Sequence, residues 1–488
     1  MYKHNARQIS LVDEKPEMFG NLPLNPENRW VKLARLIPWS RVEEEYQKNF
    51  KSTRGQDPLP SRLALGILIV KEKLSLSDRD TVEVLKENPY IQYFVGYSEY
   101  KYDVHLDPSM LTHFRKRFPA DVIAQTNEWI VNSMLDPSDD DGPDDGTGAG
   151  GSGEKEAPEP IEAEHEGCLI LDATCAPQDI QYPTDVRLLS EARQKLEAMQ
   201  DVLQTGRTEE KPRNYREKAQ REYNRFCRNR KPGKKLIRRV LRQQLQYVAR
   251  DLRLVAAMQE DSRSKLSDKE VAMLATITKL YEQQKQMYTE HRHQCKDRIV
   301  SLTQPHVRPI VRGKVKAGTE FGAKLTASVV EGYGQVERLS WDAYNESEDL
   351  IPIVEAYKAK HGHYPERILA DQIFRTRQNR SYCQERGIHL NGRPLGRPAK
   401  DPALVAEQKR LERAESGERN AIEGKFGEGK RRYRLGRITA RLKETSETSI
   451  HLIFLVMNLE KILRDLFALF WRGLFPDSFM EVGVVWAC

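Results

Sequence analysis

Three acidic residues sit in contexts that a folded chain makes rigid. Asp172 follows the apolar run Cys168-Leu169-Ile170-Leu171, and Asp371 follows Ile368-Leu369-Ala370. Glu423 lies in Arg419-Asn420-Ala421-Ile422-Glu423-Gly424-Lys425-Phe426-Gly427-Glu428-Gly429-Lys430, which reads as a helix. The pattern predicts two carboxylates at strand ends and a third on a helix. Carboxylates placed on separate rigid elements can hold a pair of Mg²⁺ ions over a phosphodiester.

The charge balance points the same way. The chain of 488 residues has a formal net charge of +7. Residues 136–167 hold twelve acids and one Lys, a net of −11, and removing them from the +7 leaves +18 on the remainder. A field of that sign favours polyanions, nucleic acid above all. Within it, Lys211–Arg250 carries fifteen Lys or Arg and two Glu. A solvated helical face needs far less charge than that.

Length and pattern predict several parts. Residues 1–135 read as an all-α, helix-turn-helix-like DNA-binding domain. Ser77-Asp78-Arg79-Asp80 resembles a capping box opening a helix from Asp80 to Glu87. Asp107-Pro108 reads as an N-cap followed by proline, opening a basic helix with Arg115, Lys116 and Arg117. A bundle whose basic residues are merely solvated fits the pattern equally well. Residues 136–167 are an acidic, Gly-rich stretch that cannot bury enough surface to order itself, so they predict a flexible linker and a separable N-terminal module. Residues 168–475 read as a mixed α/β catalytic domain with a basic helical insertion over about 187–302, and residues 476–488 as a tail. The insertion should contain a helical hairpin broken at Lys231-Pro232-Gly233. Lys324–Trp341 should be a β-hairpin turning at Gly332-Tyr333-Gly334.

Strand, hairpin, helix, strand and helix, with acids on the first strand, a later strand and a later helix, describe a ribonuclease-H-like core. At about 100° per residue, Arg419, Glu423 and Lys430 fall within roughly 60° of one helix face. The two cations would clamp DNA phosphates beside the metal-binding carboxylate. Gly424, Gly427 and Gly429 each weaken a helix, and the reading here is that they let a DNA backbone approach.

These residues resemble the DDE transposases of bacterial insertion sequences, most closely the insertion-sequence-5 superfamily with its Y-x2-R-x3-E-x6-K signature. Arg419, Glu423 and Lys430 match the last three members, and Ser416 stands at the Tyr position. Asp172-Ala173-Thr174 resembles the first acidic region, and Asp371-Gln372-Ile373-Phe374-Arg375-Thr376-Arg377-Gln378-Asn379-Arg380 the second. Residues Leu106–Arg117 resemble the S-x-L-T-x-F-R-x-R segment.

The resemblance implies a Mg²⁺-dependent nuclease and strand transferase using two ions, for which Mn²⁺ can substitute. It would cleave element ends and join the freed 3′-OH to target DNA. Asp172, Asp371 and Glu423 would be both catalytic residues and metal ligands. DNA contacts are expected from Arg419, Lys430, Lys425, Arg375, Arg377, Arg115, Lys116 and Arg117, and from Arg238, Arg239 and Arg242 of the basic arm. The expected partners are double-stranded DNA and a second copy of the chain on that DNA, in a bacterial, nucleoid-associated cytoplasm. The alternative is a catalytically idle DNA-binding protein derived from such an element.

Other signals carry less. The six cysteines are scattered, with no C-x2-C pair. The start has no apolar signal region, and Ile450–Phe475 is apolar but broken by charges, so a buried or partner-facing helix is expected rather than a membrane anchor. No G-x4-G-K-[ST] occurs, so no nucleotide cofactor is expected. His291-x-His293-x-Cys295 could hold a transition metal, but i and i+2 do not share a helical face. Cys175 has no nearby His and reads as a packed small residue. Asp179, Asp185 and Glu428 are acids near the motifs in less fitting contexts.

Overall fold

The computed structural model describes residues 18–20, 22–50, 58–135, 165–205, 207, 210–261, 265–311, 318–393 and 401–474. The linker expected at 136–167, except for its last three residues, and the tail expected at 476–488 lie outside them.

Local turn chemistry sets the first helices. A short hairpin, β1 (Met18–Phe19) and β2 (Leu22–Pro23), leads to α1 (Arg29–Leu36), capped by the Asn28 side chain on Trp30 N. Next come α2 (Trp39–Gln47) and α3 (Ser61–Leu74). Ser77 accepts from Asp80 N and opens α4 (Asp78–Glu87), two residues before the expected start. Asn88 caps α5 (Pro89–Phe94), with proline tolerated at the first position. The basic helix, α6 (Met110–Arg117), starts later than Asp107, whose carboxylate instead accepts from Ser109 N in the preceding turn. α7 (Ala120–Leu135) completes the series. α3 is buried almost all round, because its sequence is apolar on nearly every face.

The second part is mixed α/β. β3 (Cys168–Pro177) is followed by α8 (Asp185–Gln204), α9 (Arg216–Cys227), α10 (Lys234–Asp261) and α11 (Asp268–Glu290). The basic arm is thus a helical pair broken between Cys227 and Lys234, as the Pro-Gly step requires. α8, α10 and α11 enclose their own apolar core, including Leu189, Leu196, Val248, Val255, Ile277 and Leu280. Then come β4 (Arg308–Val311), β5 (Thr319–Val330), β6 (Tyr333–Ser340), α12 (Leu350–His361), β7 (Arg367–Ala370), α13 (Arg377–Glu385), β8 (His389–Leu390), α14 (Pro402–Arg432) and α15 (Lys443–Leu474). The β5–β6 turn is Glu331-Gly332, both at positive φ, rather than the three residues expected. α14 begins far ahead of Arg419 and stops at Arg432.

The sheet order is β4-β5-β3-β7-β8, with β6 also paired to β5. β3 runs antiparallel to β5 and parallel to β7, and β7 runs parallel to β8. Gly322 is required where β5 crosses the end of β3, since a Cβ there would lie 2.1 Å from Ala176 O.

α15 changes the expected domain picture. Its residues Ile450, Leu452, Ile453, Phe454, Leu455, Val456 and Met457 are all buried. They pack against α1, α3, α6 and α7 on one side and β6 on the other. Asn458 joins three parts of the chain. Its amide donates to Asn127 Oδ1 (2.9 Å) on α7 and to Gly334 O (2.8 Å) on β6, and its carbonyl accepts from Gly334 N (2.9 Å). Thr448 Oγ1 lies 3.0 Å from Phe118 O, and Lys73 pairs with Glu460. The N-terminal helices and α15 therefore share one core, and that core continues into the sheet. No helix among the described residues is long and apolar enough to cross a membrane.

The N-terminal helices consequently bury a face against α15. Residues 1–135 alone should lack a cooperative urea transition, because the fragment leaves the α15 face of α3, α6 and α7 bare. Adding residues 443–474 in trans or by fusion should restore one. A cooperative transition in the short fragment would show that α15 is dispensable to this core.

Candidate active site

The two aspartates meet where one ladder ends. β3 and β7 pair in parallel from Cys168↔Arg367 to Leu171↔Ala370. The next residue on each strand is Asp172 and Asp371, so the two carboxyl-bearing residues stand side by side just past the last pair. Asp172 is not at the end of its own strand, because β3 continues to Pro177 against β5. What ends beside it is β7. Asp371 caps a short 3-10 turn, Gln372–Phe374, by accepting from Gln372 N (2.8 Å). Phe374 is fully buried and anchors the turn. The buried Asn379 side chain donates to Phe374 O (2.8 Å) and Ser347 O (2.7 Å), tying this turn to the one at Glu346–Glu348.

Asp172 is half-buried, and its carboxylate accepts from Ala173 N (2.8 Å). Burial pushes its pKa up to about 6. The Ala173 N–H and Arg419 pull it back, while Asp371 and Glu346 add to the rise. Glu346, which sequence reasoning did not single out, acts electrostatically on Asp172. It is held by Lys324 Nζ at 2.7 Å. No spacing rule pointed to it, because the turn that carries it lies in an acid-rich loop between β6 and α12.

α14 lies along the same sheet end. Lys430 Nζ donates to Thr174 Oγ1 (2.8 Å), two residues beyond Asp172 on β3 and on the same face of the strand. Arg419 acts electrostatically on Asp172. Glu423 lies between these two anchor points on the helix. Its carboxylate is exposed and accepts from Arg419 Nη2 at 3.2 Å. Among the described residues no three His, Cys, Asp or Glu side chains stand close enough together to hold a metal ion. The strand register thus places Asp172 and Asp371 side by side, while Glu423 is turned along its own helix toward Arg419. One glycine of α14, Gly429, acts differently from expectation. Gly429 is buried where a Cβ would press on Leu435 (3.1 Å) and Met457 Sδ (3.2 Å), so it admits α15, while Gly424 faces open space.

The expected DNA-contact residues divide. Arg377 is exposed at the start of α13, and Arg239 and Arg242 are exposed on α10. Arg375 is half-buried, lies against Gly392 and donates to Arg393 O. Lys425 turns away from the acids toward α15, where burial pushes its ammonium down to about 8 near Glu428, Arg464, Lys461 and Asp465. Arg115 is buried in a bidentate pair with Asp78 (3.1 and 2.8 Å), so it ties α6 to α4. Arg117 lies over the Phe50 ring at 5.0 Å and near Tyr46 OH, while Lys116 is exposed. Arg238 is half-buried against Tyr288 and His291. Arg115 is thus buried against Asp78, and Lys425 lies among the charged groups between α14 and α15.

The remaining acids are committed to ion pairs, Asp179 with Arg437 (3.0 Å), Asp185 with Arg298 (2.7 Å) and Glu428 with Arg464 (3.3 Å). Cys175 is buried.

Two family models match the chain. One, described as a transposase DDE domain, matches residues 368–460, which carry Asp371 and Glu423. The other, described as a transposase domain (DUF772), matches residues 21–117. The chain is also 30% identical over 173 residues to the uncharacterized protein ORF8 in the nfe locus of Rhizobium meliloti, covering 36% of this chain and 73% of that protein. The chain belongs to the DDE transposases. No solved structure matches it. The matched segments of this transposase are the N-terminal helices through α6 and the run from β7 into α15. Neither match reaches Asp172 or the helical insertion, so those rest on the geometry.

Two neighbours on α6 should separate structural from surface charge. Arg115→Ala removes the bidentate partner of Asp78, leaving it only the longer contact to Lys71 (3.8 Å), and should cost about 1–3 kcal/mol of stability. Lys116→Ala should stay within about 0.5 kcal/mol. Urea midpoints at constant m report both, and equal effects would contradict the placement of Arg115.

Proposed function

We propose that this transposase cuts the phosphodiester at the ends of a mobile element and joins the freed 3′-OH to target DNA. The observation that carries the reading is the adjacency of Asp172 and Asp371 at the end of the β3–β7 ladder, with α14 laid across it by the Lys430–Thr174 contact. Three antiparallel strands, β6, β5 and β3, continued by the parallel strands β7 and β8, support a ribonuclease-H-like core. α4 to α6 support a helix-turn-helix-like reader that presents His113 and Lys116.

The donor set fits a hard divalent cation. Asp172, Asp371 and Glu423 offer carboxylate oxygens, the ligands that Mg²⁺ prefers and Mn²⁺ accepts. Glu423 is exposed and pairs with Arg419 along its own helix, so engaging a cation with Asp172 requires its side chain to leave that pair. When bound, the ions would activate the attacking oxygen and stabilise the leaving one.

The chain's own residues do the rest. Asp371 is fixed by its capped turn, and Asn379 holds that turn to the Glu346 turn. Arg419, once released from Glu423, can pair with a phosphate, and Lys430 holds α14 at its place on β3. Arg377, Arg239 and Arg242 supply exposed positive charge for the DNA backbone. A second copy of the chain, for the second element end, and a bacterial cytoplasmic setting belong to the same reading.

Asp172→Asn, Asp371→Asn and Glu423→Gln should each abolish cleavage and joining of labelled element ends in Mg²⁺. Binding measured in EDTA should stay within about threefold, since none of the three contacts phosphate without metal. Cleavage by any of these variants at the wild-type rate would remove that residue from the site. Wild-type protein that binds ends but never cuts them would instead favour the idle DNA-binding reading.

Arg239→Ala with Arg242→Ala should weaken DNA binding on every sequence tested. The slope of log K against log salt should flatten by about 0.9 per lost phosphate contact. An unchanged slope would assign this face of α10 to solubility alone.

A further inference from the structure

We infer that the helical insertion carries a site for a single nucleotide, a planar base with its phosphate, in the cavity between α10 and the end of α11. The cavity has a volume of about 340 Å³. That lies at the small end of the ~300–1,000 Å³ typical of ligand pockets, room for one such unit and not for a stacked strand.

Its lining has two characters. Ile237, Leu241 and the buried Met287 form an apolar floor, and the half-buried Tyr288 adds an aromatic ring. The mouth is cationic, with Lys234, Arg238 and Arg292 beside His291 and His293. The lone acid of the lining, Asp185, is already held by Arg298 (2.7 Å) and by the Gln284 amide (2.9 Å). A neighbouring Glu290 stands 3.6 Å from Arg292, so Lys234 and Arg238 are the better anion donors.

Arg238 is preset for that role. Its guanidinium lies 4.4 Å from the Tyr288 ring centroid and within 3.0 Å of both His291 ring nitrogens. A neutral imidazole has one acceptor nitrogen, so only one of those contacts is a hydrogen bond and guanidinium N–H groups remain for a ligand. His291 is brought there by its left-handed backbone (φ 56°), which closes α11 after Glu290. This also accounts for the His291-x-His293 spacing. The residues form a loop at the mouth of the cavity, not a metal site on a helix.

An apolar floor takes a base and a stacking ring, and a cationic mouth takes the phosphate. The source is either a free nucleotide or an unstacked nucleotide of a DNA strand. The basic arm that surrounds the cavity favours the strand, and that choice of source rests on the DNA-handling function proposed above.

The test uses full-length protein in EDTA, so that binding is read without cleavage. The probes are 2-aminopurine deoxyribonucleoside monophosphate and a short single-stranded oligonucleotide containing 2-aminopurine, followed by fluorescence. Arg238→Gln should weaken both about tenfold. Leu241→Trp, which fills the cavity and removes no charge, should abolish the 2-aminopurine signal with the thermal unfolding midpoint retained. Competition between the two probes identifies the strand as the source, and monophosphate binding without competition identifies the free nucleotide. Binding unaltered by Leu241→Trp, or weakened equally by Lys269→Gln at the exposed opposite end of α11, would overturn the site. Because end cleavage is scored separately, a failed pocket and a failed nuclease give different results.

Discussion

Everything at the candidate site depends on the unequal lengths of the strands flanking β3. Antiparallel pairing with β5 carries β3 to Pro177, while the parallel ladder with β7 stops at Leu171↔Ala370. The first strand therefore projects beyond its neighbour, and the edge it exposes is at Asp172. Two like charges on adjacent rigid elements repel each other, and Asp172 is half-buried as well. The fold opposes that cost with well-determined backbone, the capped turn after Asp371 and the Asn379 bridge to Ser347. Strain of this kind persists when the surroundings fix it, and it is what a cation site needs before the cation arrives.

The sequence carried the acids and their order along the chain because each is preceded by a short apolar run or lies in a strongly periodic helix. The strand at Arg367–Ala370, the break in the basic arm and the capped start of α4 were legible for the same local reason. Relations set by tertiary packing were not. That Asp172 is mid-strand follows from β5, which lies about 150 residues later in the chain. Glu346 acts on Asp172 from a loop, and no period announces a loop. Arg115 and Lys425 looked like surface cations because their type is usually exposed, yet Arg115 is buried against Asp78 and Lys425 lies between α14 and α15. Gly429 of α14 misled most directly, since it serves contact between protein helices.

The C-terminal helix was the largest element whose role the sequence left open. Its apolar residues run all round, so it needed partners on every side. The N-terminal helices supply one side and β6 the other. A long acidic segment between residues 135 and 165 invited the view that two bodies hang on a tether. The burial of α15 gives the N-terminal helices and the sheet a shared core.

That shared core has a mechanical consequence. α14 meets α15 through Gly429, Leu435 and Met457, and α15 meets α6 through Thr448 at Phe118. A force on the exposed face of α6 therefore passes through close-packed side chains to the helix that bears Glu423, with no flexible joint between them. Close-packed interiors transmit displacement rather than absorb it. DNA seated on the N-terminal helices would be presented to the acidic site at a fixed distance and angle.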